Sequence, residues 1–145
     1  MALEDYRVPV KLKLSALWAS LMFCYIYADF FGLFSPGQLA DMNRGIIHPF
    51  GPTTPLILLG TSIMMAVPSI MIVAPLLLRP AVARWANLLL GPVYGVIIVP
   101  TMVGAPLFYL FFGTIEVMLS LLIAWYAWRW PRIAAEQKPG REKAG

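Results

Sequence analysis

The sequence predicts an all-α fold, a bundle of four transmembrane helices with both termini on the cytoplasmic side. Three observations predict it. Of the 145 residues, 60% are hydrophobic and 12% are charged, roughly half the charged share of a soluble domain. Four segments are each apolar over about 20 residues, the length a helix needs to cross hydrocarbon. Lys and Arg gather on one side of those segments, as they do on cytoplasmic connections. Strands are excluded, because an open sheet would leave backbone groups unpaired in lipid. A chain this short has room for one domain.

Each element follows in order. Residues 12–34 form the first span, behind Arg7, Lys11 and Lys13. Its apolar run exceeds a signal-peptide core and no small-x-small site follows, so it reads as retained. Residues 35–54 form the long extracytoplasmic loop, SPGQLADMNRGIIHPFGPTT. Its Pro and Gly argue against a long helix, although Gln38–Asn43 suits a short one. Ile46, Ile47, Pro49 and Phe50 suggest that part of it lies on the membrane surface and caps the bundle. His48, the single histidine, reads as a solvent-exposed loop residue.

The second span covers 55–78, and Arg79 and Arg84 mark the return to the cytoplasm. The third covers 85–103 and the fourth 107–128. Between them stands only Val103-Gly104-Ala105-Pro106, so these two spans must be adjacent and antiparallel. Residues 131–145 read as a solvated cytoplasmic tail, with some attraction to anionic lipid through its Lys and Arg. Ten of the eleven Lys and Arg lie on the cytoplasmic side of this plan and only Arg44 on the other. Trp85, Trp125, Tyr126, Trp128 and Trp130 form an aromatic belt at that interface.

Helices in lipid associate through close contact, so small residues mark packing faces. Ala16, Ser20, Cys24, Ala28 and Gly32 recur every fourth position in span one, facing another span or another subunit. Gly91 and Gly95 make a GxxxG pair in span three. Pro68 and Pro92 sit well inside their spans. Each removes one helical hydrogen bond and frees a carbonyl about a turn earlier, which a neighbouring hydroxyl or water can take up.

Two acids fall inside the spans, Asp29 and Glu116, at depths of roughly 8 and 14 Å from the outer ends at 1.5 Å per residue. An intramembrane charge costs about 3 kcal/mol on insertion scales and usually faces the bundle interior. No Lys, Arg or His lies within a span to pair with them, and Arg44 is the one cation that could reach inward from the loop. Trp18, Tyr25 and Asp29 share one face of span one; Tyr109, Glu116 and Ser120 share one face of span four. Tyr25, Tyr94 and Tyr109 can donate hydrogen bonds to carboxylates. Together Asp29, Glu116, Tyr25, Tyr94, Tyr109 and Trp18 outline an acidic-aromatic pocket in the outer half. It would suit a proton, a small cation or a lipid-soluble small molecule.

One His and one Cys, Cys24, exclude a protein-only zinc or haem set, so no metal or other cofactor is expected. No nucleophile elbow, phosphate loop or dinucleotide fingerprint is present. No basic face with base-reading side chains points to nucleic acid.

The stretches LSALWASLMFCYIYADFFGLFSPG, LLGTSIMMAVPS and IEVMLSLLIAWYAWRWP resemble an uncharacterised family of small four-span bacterial integral membrane proteins, a domain of unknown function. The resemblance runs from about Val10 to Pro131 and implies a multi-pass protein of the bacterial cytoplasmic membrane. It matches an acid in the last span to Glu116, and a tyrosine-acid segment ending in Pro-Gly to Tyr25 through Gly37. The four-span plan is also loosely similar in architecture to DoxX-like proteins, some of which are associated with quinone or sulfur redox work. This chain has no cysteine pair for such work.

Three functions fit these residues. The first is a binding or transport bundle using Asp29 and Glu116. The second is a structural or accessory subunit of a larger membrane complex, docked through the small-residue row; a homo-oligomer goes with the first. The third, least supported, is a membrane enzyme of isomerase type using the two acids; no residue is assigned as catalytic.

Overall fold

The computed structural model describes residues 6–48 and 51–131. Apart from Pro131, the expected tail lies outside them, as do Pro49 and Phe50 of the loop. The fold is all-α, with four long apolar helices: α1 (Val10–Gly32), α3 (Pro55–Leu77), α4 (Pro80–Thr101) and α5 (Leu107–Trp128). The short α2 (Gln38–Asn43) and a two-residue ribbon, β1 (Ile46–Ile47) against β2 (Gly51–Pro52), fill the long loop.

Local chemistry sets the boundaries. Pro36 and Gly37 turn the chain after α1, and Gly37 takes φ +86° at the start of α2, a conformation that costs a residue with a Cβ. Thr54 caps α3 through its Oγ1, which accepts from the Ile57 amide at 3.2 Å, and Pro55 occupies the first helical position. α3 stops before Arg79-Pro80 because a proline drives the preceding residue to extended backbone; Arg79 has ψ 144°. Pro80 then opens α4 several residues ahead of the apolar stretch, since it needs no amide donor there. Gly104, at φ +74°, makes the tight turn into α5.

Around the bundle, α1 packs on α3 and α5, α5 packs on α4, and α3 meets α4 over a smaller contact. α1 and α4 therefore stand on the diagonal. The core joins Leu14, Trp18, Leu21, Met71, Tyr94, Ile98 and Ile123. α3 is the most lipid-like element, with mean hydropathy 2.3 and only 11% of its apolar window buried. A helix apolar on every side, with so little covered by protein, has its natural solvent in lipid.

The start of α1, the α3–α4 connection and the end of α5 meet at one end. There the Lys11 ammonium donates to the carbonyls of Leu78 (2.7 Å) and Leu76 (3.4 Å), satisfying the C-terminal end of α3. Lys13 lies over the Tyr126 ring and Arg129 over the Trp125 ring, at 5.2 and 4.4 Å from the centroids. This is the basic end; the opposite one is the loop end.

Candidate functional site

Glu116 is carried by the buried face of α5, which runs Gly113, Glu116, Ser120, Ile123 and Ala127. The spacing of three and four places these residues on one stripe. Counted from Leu107, Glu116 lies about 14 Å from the loop end. It is 4% exposed. No described residue hydrogen-bonds its Oε1, and the hydroxyls of Ser120 and Tyr25 are likewise buried and unpartnered. Glu116 lies within electrostatic range of Cys24, Tyr25 and Asp29, all on α1. Glu116 and Tyr25 thus bring a carboxyl and a hydroxyl with spare hydrogen-bonding capacity to the α1–α5 contact, while Ser120 lies against Gly95 of α4. Most buried polar groups are satisfied, and these three unpartnered ones mark the candidate site.

Asp29 differs. It is exposed on α1 near the loop end, and no hydrogen bond or ion pair joins it to a described residue. Arg44 does not reach either intramembrane acid. It stands 3.8 Å from Asp41, which also takes the His48 Nε2 contact at 3.1 Å, so Arg44 is engaged by the loop's own acid. Glu116 has no basic partner among the described residues.

The aromatic residues divide between structure and site. Trp18 is fully buried, and its indole N–H donates to Asn87 Oδ1 at 2.7 Å, while Asn87 Nδ2 donates to the Ala83 carbonyl at 2.7 Å. Tyr94 meets Trp18 edge to face, with centroids 5.9 Å apart, and its hydroxyl donates to the Met64 carbonyl. Tyr109 donates to Thr101 Oγ1 at 3.4 Å. Only Tyr25 keeps its hydroxyl free beside Glu116. The Asn87 link across the bundle diagonal was not foreseeable, since one Asn in an apolar run carries no sign of the Trp it will meet.

The small residues also divide. A Cβ at Gly91 would sit 3.0 Å from Ile123 Cγ2 and 3.2 Å from the Ser120 carbonyl, and one at Gly95 would sit 3.2 Å from Ser120 Cβ. These glycines let α4 approach α5 beneath Glu116. On α1, Ala16 and Ser20 are exposed, Cys24 and Gly32 half-buried and Ala28 buried. The row turns because each step of four residues rotates by about 40° around a helix of 3.6 residues per turn.

Two recesses open on the surface. One, of about 600 Å³, lies at the loop end among Phe31, Phe34, Ser35, Pro36, Pro106 and Phe108. Phe31 also stacks on Phe112, with centroids 6.2 Å apart, one turn outward of Glu116. The other, of about 330 Å³, lies at the basic end. Neither is lined by Glu116 or Asp29. No group of three or more His, Cys, Asp or Glu with metal-binding geometry stands among the described residues.

Against known proteins, residues 1–136 match the model of one family, described as a family of unknown function, DUF6326. No curated protein and no solved structure matches the chain.

Proposed function

We propose that this chain, which belongs to the DUF6326 family of unknown function, is a multi-pass membrane bundle that binds a proton or small cation at Glu116. One observation carries the reading: a buried carboxyl on α5 keeps an unpartnered oxygen beside the unpartnered Tyr25 hydroxyl of α1, with no basic partner among the described residues. A carboxyl in lipid is expensive to keep unless something shares its charge. A proton or a small cation removes that cost, and Tyr25 and Ser120 supply hydrogen-bonding oxygens around it. Phe31 lines the loop-end recess and stacks on Phe112, one turn outward of Glu116, which favours entry from that side.

The test is unfolding stability in nanodiscs for wild type and Glu116→Gln. A binding acid is kept at the expense of stability, so the Gln variant is expected to be as stable as wild type or more so. A loss of several kcal/mol would make Glu116 a structural tie instead.

A second reading, an accessory subunit of a larger membrane complex, has its own support. Ala16 and Ser20 are exposed on one face of α1, where a partner helix could pack closely against two small residues. A chain that stays folded and monomeric when purified alone would count against it.

A further inference from the structure

At the basic end, Arg7, Lys11, Lys13, Arg79, Arg84 and Arg129 stand together, and no carboxylate stands with them among the described residues. Charges that only direct insertion need no fixed geometry. Arg84 has one. Its Nε donates to the Ala127 carbonyl at 3.2 Å, which ties α4 to the end of α5 and orients the guanidinium plane. Its carbon centre lies 5.7 Å from the Trp85 ring centroid. No described residue accepts from its two terminal nitrogens. Arg84 lines a recess of about 330 Å³ together with Pro80, Ala81, Trp130 and Pro131. That lining offers a cation and an indole and contains no acid.

We propose that this recess binds the phosphate of an anionic phospholipid, with Arg84 as its principal ligand. A planar guanidinium with one nitrogen already fixed is suited to two-pronged contact with phosphate oxygens. The surrounding cations complement the anionic charge and add long-range attraction. Trp130, which lines the recess, and Trp85, beside Arg84, belong at headgroup depth, where a free anion has no advantage over a lipid. Exposed apolar residues of α4 and α5, such as Leu89 and Leu121, offer acyl chains a surface below it.

The experiment is lipid retention by native mass spectrometry. Wild type, Arg84→Lys and Arg79→Gln are released from bilayers of phosphatidylglycerol and phosphatidylcholine in equal parts. Wild type is expected to retain phosphatidylglycerol selectively. Arg84→Lys keeps the charge and loses the fork, so its retention is expected to fall about tenfold, whereas Arg79→Gln stays within about twofold of wild type. Equal retention in Arg84→Lys and wild type, or an equal loss in Arg79→Gln, would overturn the site. A second arm needs only wild type: a short-chain phosphatidylglycerol, a short-chain phosphatidylcholine and inorganic phosphate are compared for thermal stabilisation in detergent. Only the first is expected to stabilise; equal effects of phosphate or of phosphatidylcholine would overturn the lipid assignment.

Discussion

The Tyr94 hydroxyl donates to the Met64 carbonyl, the same carbonyl that Pro68 leaves without its helical donor. The internal proline of α3 and the tyrosine of α4 therefore complement each other. In lipid a freed carbonyl is costly unless a neighbour supplies a donor, and here Tyr94 supplies it. The bond also joins α3 to α4, the pair with the smaller contact around the bundle.

Tyr94→Phe is expected to cost about 1 kcal/mol, the usual worth of a hydrogen bond between membrane helices. Pro68→Ala restores an amide donor for Met64. The loss in Tyr94→Phe is expected to shrink in that background. Unfolding of the four proteins in bicelles, read as a double-mutant cycle, measures the coupling.

Asn87→Ala is expected to be more damaging, at about 2 to 4 kcal/mol. It leaves the buried Trp18 indole N–H unpaired and opens a cavity on the bundle diagonal. Trp18 is fully buried, so its fluorescence, isolated by comparison with a Trp18→Phe protein, is expected to shift in the same variant.

Gly91→Ala and Gly32→Ala separate packing from helix propensity. At Gly91 the new Cβ meets Ser120 and Ala124 backbone atoms at 3.2 and 3.3 Å, which cannot yield without moving α4 off α5. A loss of about 1 to 3 kcal/mol is expected. At Gly32 nothing lies within 4 Å, and the substitution is expected to be neutral or slightly stabilising. Thermal unfolding of both variants checks the contrast.

Phe31→Ala removes half of the ring pair that stands beside the loop-end recess, one turn outward of Glu116. Hydrogen–deuterium exchange at the Glu116 carboxyl, followed by infrared spectroscopy, is expected to speed up in this variant. An unchanged rate would show that access runs elsewhere.

The long apolar helices were legible in the sequence because length and hydropathy alone dictate them. So was the α4–α5 pairing, which four connecting residues force. What the helices turn inward was harder to read. α1 is apolar on nearly every side, so the sequence could not say that Glu116 would be buried while Asp29 lay on the surface. It grouped Trp18 and Tyr94 with a ligand pocket, yet in the structure their polar atoms are occupied by Asn87 and Met64. Those partners lie on other helices, and only the packed bundle decides which turn of one helix meets which turn of another. A freed carbonyl one turn before Pro68 was foreseeable; that Tyr94 would be its donor was not.

The most direct test of Glu116 as an exchanging site is an infrared difference spectrum, wild type minus Glu116→Gln, in bilayers moved from H₂O to D₂O. A protonated carboxyl that communicates with solvent gives a C=O stretching band in the wild type that shifts on deuteration and is missing from the Gln variant. That is the expected result. A spectrum with no such band, or with a band that never shifts, would mean that Glu116 does not exchange a proton with the solution, and the proton-binding account would fail.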